Sequence, residues 1–143
     1  MFSTPDLKDK YQKKVFQGFE SMKSFGNRDS FFGQIKTVTC HDDNSKVKEI
    51  LGTNGRGKVL VINSNLITHA AMIGDEIAQK AIDNEWNGIF VAGYVRDVEL
   101  LKEMEIGILA LGSTIAKTNK NDKGFFGEDV IFGGVILSED SWL

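Results

Sequence analysis

The sequence predicts an α/β fold, and two observations carry the prediction. Three short apolar runs, "GKVLVIN" at 57–63, "GIFVAGYV" at 88–95 and "IGILALG" at 106–112, have the length and continuity of strands buried on both faces. Between them lie segments with helical spacing, "GDEIAQKAIDNEW" at 74–86 and "DVELLKEM" at 97–104. Strand and helix in alternation give a βαβαβ middle, with strands that run parallel.

Each element has its own local reason. Residues 5–23 allow one or two amphipathic helical turns, with Val15, Phe16 and Phe19 on one side. "FFGQIKTVTC" at 31–40 is β-branched enough for a strand. "DDNSKVKEIL" follows, offering Asp43 or Asn44 as an N-cap and turning Val47, Ile50 and Leu51 inward. In the helix at 74–86 the inward residues are Ile77, Ala78, Ala81 and Ile82. "DVIFGGVIL" at 129–137 completes the strands. No repeat, low-complexity tract or linker interrupts the 143 residues, so one domain over 1–143 is expected.

Composition narrows the function classes. A chain with 41% hydrophobic and 26% charged residues is that of an ordinary soluble globular protein. Its net charge of -3 supplies no basic excess for nucleic acid. No apolar run reaches the roughly 18 residues of a membrane span. The opening "MFSTPDLKDKYQKK" lacks a signal-peptide core, and a lone Cys40 excludes an internal disulfide framework. A cytoplasmic location is therefore expected.

Three motifs invite chemistry and are read otherwise. "GTNGRGKV" at 52–59 has the Gly-x4-Gly-Lys frame of a phosphate loop, but Val59 stands where a magnesium-binding Ser or Thr belongs. It also precedes a strand, so it reads as a glycine turn between helix and strand. "CHDD" at 40–43 gathers metal-friendly residues whose side chains alternate across a strand, so it reads as strand end plus helix cap. His69 has no visible partner and receives no role.

The stretch from Ile73 to Asp97 is different. Gly74 starts a helix whose first turn carries Asp75 and Glu76, where carboxylates favour the positive dipole end. Free amides of that turn bind anions. The next strand ends in Arg96-Asp97, and ligands of open α/β sheets gather at such carboxyl ends. If strands 57–63 and 88–95 are parallel neighbours, an anion cradle, a cation and a metal-competent carboxylate share one edge. The alternative is a solvated loop with a surface ion pair.

Asp75, twenty residues and then Arg96-Asp97 reproduce the Asp-x20-Arg-Asp motif of the class II pyruvate aldolases, which share a family with the regulator of ribonuclease activity A, RraA. "FFGQIKTVTCHDDN", "NGRGKVLVIN", "DNEWNGIFVAGYVRD", "IGILALG", "FGGV" and "ILSED" resemble that family in its own order, from about residue 6 onward. The resemblance implies a swivelling β/β/α-type fold and a homotrimer with sites between subunits. It implies that Gly74, Asp75, Glu76 and Ile77 contact a pyruvyl carboxylate through backbone amides, and that Arg96 binds keto and carboxylate oxygens. Asp97 would hold a divalent metal, Mg²⁺ or Mn²⁺, while Asp75 would assist proton transfer through water. Substrates would be 4-hydroxy-4-methyl-2-oxoglutarate-like 2-oxo acids, with oxaloacetate decarboxylation sharing the enolate.

The same family implies an alternative. Its regulators bind and inhibit ribonuclease E without catalysis, and "GQIKTVTCHDDN" and "NGRGKVLV" resemble that branch closely. Enterobacterial regulators lack the second aspartate of the motif, which this chain retains as Asp97. Three departures from the family pattern stand out. The loop "NSNLITHA" before Asp75 contains no glycine. Tyr94 replaces a small residue and is expected to crowd the pocket. "FGGV" runs directly into "ILSED", omitting a segment and with it, by expectation, a strand.

Overall fold

A computed structural model describes residues 3–18 and 21–143. In chain order the elements are α1 (Thr4–Lys10), β1 (Lys23–Ser24), β2 (Gln34–Thr39), α2 (Ser45–Leu51), β3 (Lys58–Asn63), β4 (Ala71–Ile73) and α3 (Asp75–Asp83). They continue with β5 (Gly88–Val95), α4 (Val98–Leu101), β6 (Gly107–Ser113), β7 (Phe125–Phe126), β8 (Val130–Phe132) and β9 (Val135–Leu137). The expected βαβαβ middle is β3-α3-β5-α4-β6, joined by β4.

One mixed sheet runs in the order β1-β6-β5-β3-β2-β7. Its centre is parallel, with Val61 opposite Phe90 and Phe90 opposite Leu109, whereas the edge strands β1 and β7 are antiparallel. Strands 57–63 and 88–95 are thus the parallel neighbours that the site argument requires. Alternating side chains divide the core between the two faces of the sheet. Leu60, Ile62, Ile89 and Val91 pack with Val47, Leu51, Ala78 and Ala81 of the helices. On the opposite face Val59, Val61, Phe90 and Ala92 pack under Val130, Phe132 and Leu137 of the β8–β9 hairpin. The Phe90 and Phe132 rings meet edge-on, with centroids 5.3 Å apart. Hairpin, sheet and helices make the three β/β/α layers that the resemblance implies.

The stretch "DVIFGGVIL" is two strands folded about Gly133 and Gly134, both at positive φ. The C-terminal residues then seal the open edge of β2. Gly33 and Leu143 exchange backbone hydrogen bonds, and the Ile35 N–H donates to the Ser141 carbonyl. The Thr37 N–H donates to the Glu139 carboxylate at 3.1 Å, so a side chain completes the cover of this edge. At the other terminus, α1 forms behind a Ser3–Asp6 capping box but buries none of its residues. Of the apolar side expected there, Val15 is half-buried and Phe16 is exposed. Phe19 lies outside the described residues.

The glycine-free loop after β3 folds by another route. Asn65 and Leu66 both take left-handed backbone conformations, at φ 56° and 59°. Asparagine tolerates this region, whereas leucine is strained in it by roughly 1–2 kcal/mol. Leu66 is half exposed and offers little packing in return. Leu66→Gly is therefore expected to raise stability by about 0.5 kcal/mol in urea unfolding, after the added chain entropy of glycine is subtracted. A clear drop in midpoint would show that Leu66 packing outweighs the strain.

Candidate functional site

Topology brings the site together. β5 is longer than β3, and β4 occupies the space beyond β3, pairing Ala71 with Tyr94 and Ile73 with Val95. The chain leaves β4 through Gly74 straight into α3, so that helix begins beside the end of β5. A hydrogen bond from Arg96 N to Ile73 O, 3.0 Å, fixes the two crossings together.

Gly74 is the N-cap of α3 in extended backbone and supplies no capping side chain. The Asp75 N–H points at Asp97 Oδ2 at 3.4 Å. Among the described residues the Glu76 and Ile77 N–H groups have no partner, so the first turn offers free donors. Asp97 lies in the left-handed region at φ 56°, while its carbonyl accepts from Leu100 and Leu101 at the start of α4. That backbone turn directs its carboxylate back toward Gly74. Arg96 Nε sits 3.5 Å from Asp97 Oδ2, and its terminal Nη atoms have no hydrogen-bond partner among the described residues. The ion pair exists, yet it leaves the guanidinium fork available.

A side chain at Gly74 cannot share this space. A Cβ built there would fall on Asp97 Oδ2 and come within 3.2–3.3 Å of Arg96 Cγ and Nε. Gly74→Ala is expected to displace both side chains and weaken oxalate binding by at least ~10-fold, since about 1.4 kcal/mol of misplacement suffices. Calorimetric titration of that variant with oxalate and Mg²⁺ checks this, and unchanged affinity would place the ligand elsewhere.

The cleft is lined by Gly74, Asp75, Glu76, Ile77 and Arg96, together with Asn44, Lys117 and Lys120. All predicted substrate-contacting residues meet there; Asp97 does not line the cleft and joins it through the Asp75 N–H and Arg96 Nε. The volume of the cleft is about 30 Å³, room for little more than water, so a larger ligand would have to lie across its mouth. A larger hollow of about 290 Å³ sits against the β2 edge near Lys36, Lys58 and Trp86. Its lysines are engaged, Lys36 with Glu139 and Lys58 with the Asn54 carbonyl.

Asn44, Lys117 and Lys120 were not among the expected residues. Buried Asn44 donates to the Met72 carbonyl at 3.2 Å. The lysines belong to the segment after β6, which has no periodicity to reveal it. The rule that ligands gather beyond parallel strand ends, applied to β6 as well as β5, would have nominated it. Tyr94, expected to crowd the pocket, does not line it. It stands on the face of β5 opposite Val95, with its ring over Gly112 of β6.

The rejected motifs behave as turns and caps. Gly57 makes its turn before β3 at φ 75°. "CHDD" splits apart: Cys40 is buried in the helix-side core, and burial, followed by the nearby Asp43 charge, pushes its thiol up to about 12. Burial alone would raise the Asp43 carboxyl, but hydrogen bonds from Ser45 and from the Asn121 and Lys123 backbones outweigh it and hold the pKa below its ordinary value. His69, left without a role, is exposed and lies 3.1 Å from Asp42 Oδ2.

Among the described residues no three His, Cys, Asp or Glu side chains gather as a metal cluster. Asp97 therefore fits only a hard cation that keeps most of its waters, as Mg²⁺ does when one or two carboxylates hold it. Nitrogen- or sulfur-rich metal chemistry has no donor set here.

An α/β sheet with open helix-start amides, an arginine and a carboxylate at one edge defines a class that sequence comparison makes specific. The chain belongs to the RraA-like family, described as Aldolase/RraA, which matches residues 4–143. A protein of Vibrio cholerae named "Putative 4-hydroxy-4-methyl-2-oxoglutarate aldolase" is 46% identical over 121 residues, covering 85% of this chain and 75% of that protein. The solved structure of the RNA-processing inhibitor RraA from Thermus thermophilis is 34% identical with a TM-score of 0.95, covering 99% and 86% of the two chains. A Geobacillus kaustophilus structure named as an S-adenosylmethionine:2-dimethylmenaquinone methyltransferase is 31% identical, also at 0.95, covering 99% and 88%. Three names on one fold leave function to the site.

Proposed function

We propose that this chain is a divalent-metal-dependent class II pyruvate aldolase that cleaves 4-hydroxy-4-methyl-2-oxoglutarate-like 2-oxo acids and decarboxylates oxaloacetate. The observation that carries the reading is the meeting of unpaired α3 amides, the open Arg96 fork and the Asp97 carboxylate at one strand edge. The pyruvyl carboxylate lies on the Glu76 and Ile77 amides, where the helix dipole favours negative charge. Arg96 presents parallel donors to the keto and carboxylate oxygens and stabilises charge that grows on the keto oxygen as C3–C4 breaks. A Mg²⁺ or Mn²⁺ ion held by Asp97 would supply Lewis-acid stabilisation of the same oxygen. Asp75, facing the cleft, exchanges protons with substrate through water.

The aldolase names among relatives support this reading, and so does retention of Asp97. The Thermus neighbour favours a second reading, in which the chain binds ribonuclease E and damps RNA turnover without catalysis. Pyruvate release from purified protein supports the first; complex formation with ribonuclease E in gel filtration, without pyruvate release, supports the second.

The shallow cleft also favours a homotrimer in which a neighbouring copy covers the ligand. Light scattering at micromolar concentration is then expected to give about 48 kDa, three times the 15.9 kDa chain. A clean monomer mass would contradict both the trimer and a shared site.

A further inference from the structure

The two cleft lysines ride on a segment without helix or strand. Between β6 and β7, residues 114–124 reach the sheet body through few ties. The Ala71 N–H donates to Ala116 O at 2.9 Å, which holds the near end against β4. The far end is held by the turn between β2 and α2. The Asn119 N–H donates to Asp42 O at 3.0 Å, and Asn119 Nδ2 lies 3.3 Å from Asp42 Oδ2. The Asn121 N–H donates to Asp43 Oδ2, and the Lys123 backbone adds a further bond to the same carboxylate. The other Asp43 oxygen caps its own turn, accepting from the Ser45 N–H at 2.9 Å.

Asp43 is 1% exposed, and among the described residues it has no cationic partner. A carboxylate is costly to bury, and here backbone N–H groups supply the compensation. A serine or asparagine would suffice if this position only closed a turn. A charge spanning from the α2 cap to the Asn121 amide ties two distant parts of the chain. Neighbouring Asn44 lines the cleft itself, so one turn builds a cleft wall and grips the lysine segment.

We propose that Asp43 is a positioning residue: its buried carboxylate clasps residues 119–123 and holds Lys117 and Lys120 over the cleft to take the second carboxylate of a 2-oxo diacid. The proposal rests on the pyruvyl site described above. Free donors of α3 and the Arg96 fork take the 2-oxo acid end, and the two ammonium groups select substrates with a distal negative charge.

Two probes separate positioning from general support. Oxalate occupies only the 2-oxo acid end, whereas 2-oxoglutarate adds a distal carboxylate. Calorimetry with Mg²⁺ present compares wild type, Asp43→Ser, Lys117→Ala/Lys120→Ala and the triple variant. Asp43→Ser keeps an acceptor for the Ser45 amide but is too short to reach Asn121. It is expected to weaken 2-oxoglutarate about ten-fold and oxalate less than about two-fold, the scale of losing one charge-assisted contact. The double lysine variant is expected to match it, and the triple variant to add nothing. If Asp43→Ser fails to fold, Asp43→Asn, which retains the shape and loses the charge, carries the same comparison. Equal weakening of both probes, no weakening of 2-oxoglutarate, or additive loss in the triple variant overturns the positioning role. Failure of wild type to bind either probe overturns the pyruvyl site, and this proposal falls with it.

Discussion

Replacement of Arg96 by lysine is expected to abolish the rise in melting temperature that oxalate and Mg²⁺ give the wild-type protein. Lysine keeps the charge and loses the planar fork, so the bidentate clamp on a carboxylate is gone. The expected loss is about 2 kcal/mol of ligand binding, roughly 30-fold in affinity. A ligand that binds only the folded state raises stability as the logarithm of one plus the ratio of its concentration to Kd, so the shift collapses once the weakened Kd exceeds the oxalate concentration used. The unliganded protein should hardly notice. The Arg96–Asp97 pair is 3.5 Å long and lies near the surface, with about 30% of each side chain exposed, and such pairs contribute about 0–1 kcal/mol. A surface ion pair alone would show the reverse pattern, with no oxalate response in wild type.

Asp97→Asn is expected to remove divalent-metal binding while preserving the fold. Asparagine accepts the left-handed backbone that Asp97 adopts and retains an oxygen for the Asp75 amide. What it removes is the charge that a hard cation requires. If Asp97 is the one protein ligand of the metal, as proposed, with water elsewhere, the loss of Mg²⁺ or Mn²⁺ affinity should be at least about 100-fold, beyond calorimetric detection. Metal binding unchanged in this variant would remove Asp97 from the metal site.

Much of this was legible in the sequence because burial writes itself as apolar continuity. β3, β5 and β6 lie between two covered faces, so apolar residues and glycine fill them almost end to end. The start of α3 and the Arg96-Asp97 step follow from the same logic, since a helix between parallel strands returns the chain to one edge. Other features depend on distant partners. β4 has three residues, too few for a period, and exists because the end of β5 would otherwise lack a neighbour. β1 and β7 have two residues each and are defined by the strands they pair with. The left-handed pair Asn65–Leu66 carries no glycine to announce it. The segment carrying Lys117 and Lys120 is held at the cleft by Ala71, Asp42 and Asp43, all distant in the sequence. Tyr94 shows the hazard of reasoning by adjacency: two residues before Arg96, it lays its ring over Gly112 of β6 and does not line the cleft.

The measurement that bears most directly on the central claim is pyruvate release in a coupled assay, with 4-hydroxy-4-methyl-2-oxoglutarate and oxaloacetate as substrates. A metal-dependent pyruvyl site predicts turnover with Mg²⁺ or Mn²⁺, loss of turnover on chelation, and recovery when metal is restored. No release from either substrate at any metal concentration, from folded protein of the expected trimer mass, would contradict it.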